Sequence, residues 1–109
     1  MAKETIMLCC AAGMSTSLLV TKMQEAAVAA GKDAEIFAVS ASEADHELDT
    51  KQIDVVLLGP QVRYMQNDFK KKLAGRKNGA DIPMAVIDMR AYGMMDGAAV
   101  VKQAYDLMN

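Results

Sequence analysis

The apolar run Ile6-Met7-Leu8-Cys9-Cys10 passes directly into the small residues Ala11-Ala12-Gly13, then Met14 and the hydroxyl triplet Ser15-Thr16-Ser17, before Leu18-Leu19 opens a helical pattern. A short unbroken apolar run reads as a strand buried on both faces, as in parallel sheets. The amides at the start of the helix have no intrahelical partner, and the helix dipole adds partial positive charge there. An anion fits such a place. Gly13 gives the backbone room to turn, Ala11 and Ala12 keep side chains away, and the three hydroxyls add donors or cap the helix. Cys10 stands at the mouth of this cradle. The donors that would hold a phosphoryl group also favour a thiolate, so Cys10 is predicted to be a nucleophile that becomes transiently phosphorylated. The amides and hydroxyls of Ala11, Ala12, Gly13, Met14, Ser15, Thr16 and Ser17 are predicted to form the phosphate cradle.

The rest of the chain alternates strand and helix patterns. Strand one runs from Glu4 or Thr5 to Cys9, and a helix over 15–30 places Leu19, Met23, Ala26, Ala27 and Ala30 on one face, with Gly31 to end it. Residues 35–40 read as an edge strand, and 42–48 as a short acidic helix capped by Ser42. The β-branched run 53–58 is a second central strand, closed by Gly59-Pro60. A helix then aligns Val62, Met65, Phe69 and Leu73. Residues 84–87 form strand four, 88–95 a loop, and Asp96 caps a last helix with Val100, Ala104 and Leu107 inward.

Such alternation predicts a single α/β domain spanning 1–109: a four-stranded parallel sheet with helices on both faces and right-handed crossovers. With order 2-1-3-4, the reversal of strand order falls between strands one and three, where ligands of such sheets bind. The Cys10 loop would then neighbour Gly59, Pro60 and Gln61, with Asp88 and Tyr92 as the next wall.

The chain's 109 residues, formal charge of −2 and absence of tryptophan leave no basic, aromatic-studded stripe for nucleic acid. No apolar stretch is long enough to span a bilayer, and Met1–Thr5 leads into a strand instead of a signal peptide. Adjacent cysteines in a strand point to opposite faces, so free thiols are expected, with Cys9 structural. No cysteine spacing fits a metal site, and no metal or cofactor is expected. His46, among Glu43, Asp45, Glu47 and Asp49, reads as a surface residue, because a phosphoryl dianion would be repelled there. Lys70-Lys71-Lys72 with Arg76 and Lys77 reads as complementation of a helix C-terminus. Met14, Met94 and Met95 are candidates for an apolar collar around Cys10.

The segment around Cys10 resembles the cysteine loop of the enzyme IIB components of the bacterial phosphoenolpyruvate-dependent sugar phosphotransferase system, in the lactose/cellobiose/chitobiose family. The likeness lies in the strand, the Cys-x-Ala-Gly-Met-Ser-Thr-Ser loop and the Leu-Leu helix start. It continues through Asp54–Gln61 and from Val86-Ile87-Asp88 to Tyr92-Gly93 and Asp96-Gly97. The resemblance implies a cytoplasmic phosphocysteine carrier. It would take a phosphoryl group from a IIA phosphohistidine and pass it to a sugar, such as a β-linked disaccharide, held by a membrane IIC protein. It also implies association with the inner face of the membrane through IIC. A carrier presenting one edge to two partners in turn is expected to be a monomer.

The predicted architecture also resembles the low-molecular-weight tyrosine phosphatases, whose loop reads Cys, five residues, Arg and a hydroxyl residue. Thr16 stands where that Arg would be. A guanidinium fork grips two phosphoryl oxygens at once, and loss of one such donor costs about a hundred- to a thousand-fold in rate. Slow hydrolysis suits a carrier. The alternatives are a Cys-dependent phosphatase or arsenate-reductase-like enzyme, against which the missing Arg counts, and a non-catalytic phosphate-binding domain.

Overall fold

The opening apolar run forms β1, Glu4–Cys10, and from Ile6 to Cys9 every residue is fully buried. A computed structural model of the chain describes residues 4–10, 14–75 and 79–108. After β1 come α1 (Met14–Ala29), β2 (Ala34–Ser40), a 3-10 turn (Ala41–Glu43), α2 (Ala44–Thr50) and β3 (Val55–Leu58). A second 3-10 segment (Pro60–Met65), α3 (Gln66–Leu73), β4 (Met84–Val86), α4 (Met89–Gly93) and α5 (Gly97–Met108) complete it. The four strands make one parallel sheet in the order β2-β1-β3-β4, the order expected from the sequence.

Alternation along β1 divides the core in two. Ile6 and Leu8 join Leu19, Met23 and Ala27 of α1 and Val100, Val101 and Ala104 of α5 on one face. Met7 and Cys9 join Ala44 and Leu48 of α2 and Phe69 and Leu73 of α3 on the other. Helices therefore cover both faces, and a parallel strand needs that cover because neither of its sides is polar.

The two edge strands are tied by glutamines from the helices of the first face. Gln24 Nε2 of α1 donates to the Ile36 carbonyl of β2 at 3.0 Å. Gln103 of α5 donates to the Val86 carbonyl at 2.9 Å and accepts from the Asp88 amide at 3.1 Å. Backbone groups left over at a sheet edge are thus satisfied internally and withdrawn from pairing with another chain. At the opposite end of the strands, Asp54 Oδ2 accepts from the Thr5 amide at 2.8 Å while the Asp54 amide donates to the Thr5 carbonyl at 2.9 Å. This double link starts β1 and β3 in register.

Several local expectations need correction. Cys10 is the last residue of β1, not the first of a loop. Helix α1 ends in a Schellman arrangement, with Lys32 N bonded to Ala27 O and Gly31 N to Val28 O, and Gly31 at φ +73°; Ala30 lies beyond it and is exposed. Ser42 does not cap α2: it sits within a 3-10 turn, and Glu43 precedes the helix without a side-chain cap. The helix expected after β3 is broken at Val62 (φ −116°), so Pro60–Met65 is 3-10 and only Gln66–Leu73 is α-helical. The loop 88–95 contains α4, capped by Asp88 Oδ2 accepting from the Ala91 amide at 3.0 Å. As expected, Asp96 caps α5, its Oδ1 accepting from the Ala99 amide at 3.1 Å. Lys72 reaches Asp45 on α2 at 3.3 Å, linking the two helices of the second face, while Arg76 and Lys77 lie outside the described residues.

Helices α1 and α5 meet where Gly97 lies against the backbone of Lys22 and Met23, and a Cβ at that glycine would overlap backbone atoms. Backbone cannot rotate away as a side chain does. Gly97→Ala is expected to cost about 1–3 kcal/mol, lowering the melting temperature by roughly 4–8 °C per kcal/mol for a domain of this size; calorimetry checks it. The buried Cys9 gives a second expectation. Burial, reinforced by neighbouring Cys10 and partly offset by Lys72, pushes its thiol from 9.0 up to about 12. The unfolded chain releases that proton near pH 9 while the folded chain keeps it, so the thiol's contribution is complete below about pH 9 and is lost as pH rises toward 12. Wild type is expected to lose stability across this window more steeply than Cys9→Ala in denaturant titrations.

Candidate functional site

Parallel pairing carries the end of β1 to the carboxyl edge of the sheet with a neighbour on each side. Cys10 pairs with Ser40, the last residue of β2, and Cys9 pairs with Leu58, the last residue of β3. Cys10 is 4% exposed, and its Sγ lies 4.0 Å from the Val39 carbonyl. Both cysteines are free thiols. They differ in position along the strand: Cys9 is enclosed by the α2–α3 face, whereas Cys10 is the last strand residue before the connection to α1.

Of the predicted cradle, Ala11, Ala12 and Gly13 lie outside the described residues. Met14, Ser15 and Thr16 form the opening turn of α1, followed by Ser17, which is exposed and whose carbonyl accepts from Thr21 Oγ1 at 3.2 Å. The amide end of a 16-residue helix thus begins a few residues beyond Cys10. On the β3 side, the Gly59 amide donates to the Cys9 carbonyl at 2.8 Å, which brings Gly59, Pro60 and Gln61 beside the end of β1. Pro60 opens the 3-10 segment, where its missing donor costs nothing.

Asp88 and Tyr92 occupy a different position. They follow β4, two strands from β1, and two strand spacings amount to roughly 10 Å. The Asp88 carboxylate is engaged as the cap of α4, and Tyr92 packs against the α1–α5 core. The methionines also separate. Met94 is 70% exposed, whereas Met95, at φ +52°, packs against the α1–α5 core.

Two features of this edge had no signal in the chain's periodicity. One is the group after β2, where Ser40 Oγ donates to Glu43 Oε1 at 3.0 Å and lies 3.0 Å from Ser42 Oγ. The other is a set of exposed apolar side chains in segments that follow β1, β3 and β4: Leu18, Tyr64 and Met89, which join Met94 of the expected collar. Arg63 joins the last two segments, its Nη1 lying 3.9 Å from Met89 Sδ. His46 is exposed on α2. Among the described residues no three His, Cys, Asp or Glu side chains converge as a metal site, and no helix is long and apolar enough to cross a membrane.

The sequence profile of the lactose/cellobiose-specific IIB subunits of the PTS system matches residues 5–103. The chain is 51% identical over 112 residues, covering all of both chains, to the galactose-specific EIIB component of Lactococcus lactis subsp. cremoris. It matches the cellobiose-specific EIIB component of Lactococcus lactis subsp. lactis to the same extent, 51% over 112 residues and all of both chains. The solution structure of the cellobiose-specific phosphotransferase IIB component from Borrelia burgdorferi superposes with a TM-score of 0.76 at 31% identity, covering 99% of this chain and 94% of that one. With a cysteine at the carboxyl edge of a 2-1-3-4 parallel sheet and a profile match over nearly its whole length, the chain belongs to the lactose/cellobiose-specific IIB family of the sugar phosphotransferase system.

Proposed function

We propose that the chain acts as a single IIB domain that carries a phosphoryl group on Cys10 between a phosphohistidine of a IIA protein and a sugar bound by a membrane IIC protein. The observation that carries this reading is the placement of Cys10. It ends the central strand at the carboxyl edge, beside the Gly59 turn and just before the amide end of α1. In the first step the Cys10 thiol gives up its proton and the sulfur attacks phosphorus. The S–P bond forms, the P–N bond breaks, and the departing imidazole is reprotonated. In the second step a sugar hydroxyl attacks phosphorus, the S–P bond breaks, and the thiolate leaves while the hydroxyl proton is released. Cradle amides and the hydroxyls of Ser15, Thr16 and Ser17 would hold the phosphoryl oxygens through both steps.

Position favours Cys10 over Cys9. A thiol held in its protonated form to about pH 12, with no exposed surface, has neither the charge nor the access a nucleophile requires. The absence of Arg at Thr16 favours transfer over hydrolysis, because alignment with a docked acceptor then supplies most of the rate. The sugar is a question for IIC: relatives named for galactose and for cellobiose are equally similar to this chain. Exchange of partners would take place at the inner face of the membrane, through IIC, with the chain as a monomer.

Intact-mass measurement after incubation with phosphoenolpyruvate, the general phosphotransferase proteins and a cognate IIA tests the reading. One added phosphoryl group on wild type and Cys9→Ala, absent from Cys10→Ser, is expected. No labelling of wild type by a phosphorylated cognate IIA would defeat it. The exposed apolar residues of the carboxyl edge are the expected docking surface. Tyr64→Ala and Met89→Ser should each raise the apparent KM for IIA by roughly fivefold or more, as truncated interface anchors do. Their surface positions should keep stability within about 0.5 kcal/mol of wild type.

A further inference from the structure

We propose that Ser40 is a further phosphoryl-binding residue, a hydroxyl donor supplied from β2 and switched between Glu43 and the phosphoryl group on Cys10. This rests on the carrier reading above and adds to it a contact from outside the cysteine loop.

The placement follows from register. Ile6 pairs with Ile36 and Leu8 with Ala38, and all four residues belong to the α1–α5 face of the core. Side chains alternate along a strand, so the next members of that row are Cys10 and its partner Ser40. Neighbouring strands lie about 4.8 Å apart, and the two side chains emerge side by side at the carboxyl edge. A phosphoryl group on Cys10 extends that side chain by a phosphorus and its oxygens, which brings an anionic acceptor within reach of the Ser40 hydroxyl.

That hydroxyl is already oriented. Ser40 is the residue before the Ala41–Glu43 turn, the position where a serine ordinarily caps, yet its side chain makes no capping bond. It donates instead to Glu43 Oε1 at 3.0 Å and lies 3.0 Å from Ser42 Oγ. A serine has one hydroxyl hydrogen. With that hydrogen on Glu43, Ser42 is the donor in the contact between the two serines.

A phosphoryl dianion on Cys10 competes with Glu43 for the Ser40 hydrogen. When the hydroxyl turns to a phosphoryl oxygen, Ser42 still donates to Ser40 Oγ and polarises it, which strengthens the new bond. Glu43 then loses its donor and faces a dianion of its own sign. The phosphocysteine is thereby held by a charge-assisted bond while the neighbouring carboxylate raises its tendency to transfer. Both effects serve a carrier that must accept a group and then release it to a sugar.

Rapid-quench loading from phosphorylated IIA, and the equilibrium division of the phosphoryl group between IIA and Cys10, distinguish the outcomes in wild type, Ser40→Ala, Ser40→Thr and Glu43→Gln. Ser40→Ala is expected to slow loading by about tenfold, the effect of losing one hydrogen bond to a charged group. Ser40→Thr, which keeps the hydroxyl, should restore the rate, a rescue that a purely structural role for the small side chain would not give. Glu43→Gln keeps an acceptor for Ser40 but removes the charge, and should shift the equilibrium toward phospho-Cys10 by roughly three- to tenfold. Loading of Ser40→Ala at the wild-type rate, a Ser40→Thr protein as slow as Ser40→Ala, or an unmoved equilibrium in Glu43→Gln would each overturn the inference while leaving Cys10 as the carrier. Failure of wild type itself to load would overturn the carrier reading and this inference with it.

Discussion

The structure depends on parallel pairing of β1 along both of its edges. With β2 on one side and β3 on the other, every residue of β1 from Ile6 to Cys9 is withdrawn from water, and the strand has nowhere to shift. A slip of one residue would exchange the Ile6–Leu8 row with the Met7–Cys9 row. That would press side chains fitted to α1 and α5 against α2 and α3. Register therefore gives two adjacent and chemically identical thiols different surroundings. Cys9 falls on a row that closes under the second face, and Cys10 falls where the strand ends.

Much of this was legible because the two central strands are buried on both sides. The runs 6–10 and 55–58 contain no polar residue, and a run of that kind flanked by helical periodicities has few other homes than a parallel sheet. The order 2-1-3-4 is consistent with two such strands at the centre, and the inward faces of α1 and α5 were legible in Leu19, Met23, Ala27, Val100 and Ala104, though not in Ala30. Boundaries were legible where a residue has a conformational preference of its own: Gly31 ends α1, and Asp96 begins α5. The break at Val62 was hidden because Val62, Met65, Phe69 and Leu73 keep helical spacing whether the first turn is α or 3-10. Helix α4 was hidden because five residues are too few to show a period, although Asp88 three residues before Ala91 is an ordinary capping distance.

The site was legible only in part, for a reason that concerns distance along the chain. The proposed nucleophile and the loop that follows it are written consecutively, so Cys10 and the residues to Ser17 can be read together. The contributions from other strands depend on register, and register is settled by side chains far from the site. Ser40 lies beside Cys10 because Ile36 and Ala38 match Ile6 and Leu8, a relation across some thirty residues that no local spacing reveals. Gly59 was accessible to reasoning because Gly-Pro ends a strand conspicuously, and its amide bonds to Cys9. Asp88 and Tyr92 share the same edge in sequence terms, yet β3 stands between β4 and β1, and their side chains are engaged with α4 and with the α1–α5 core.

The same geometry bears on why a fold shared with phosphatases can work as a carrier. A phosphatase needs charge stabilisation inside its own loop, because water, its acceptor, brings none. A carrier's acceptor arrives on another protein, and that partner can supply both alignment and the exclusion of water. If this chain carries phosphate as proposed, such a division of labour shifts the demands on it from its loop to its rim. On the proposed reading the loop, with Thr16 in the arginine position, would hold a phosphoryl group without activating it toward water. The rim would then have to be apolar enough to dock and release partners in turn. Exposed Leu18, Tyr64, Met89 and Met94 would meet that need on the proposed reading, since unbranched thioethers adapt their shape to more than one surface and a tyrosine is ordered at small entropic cost.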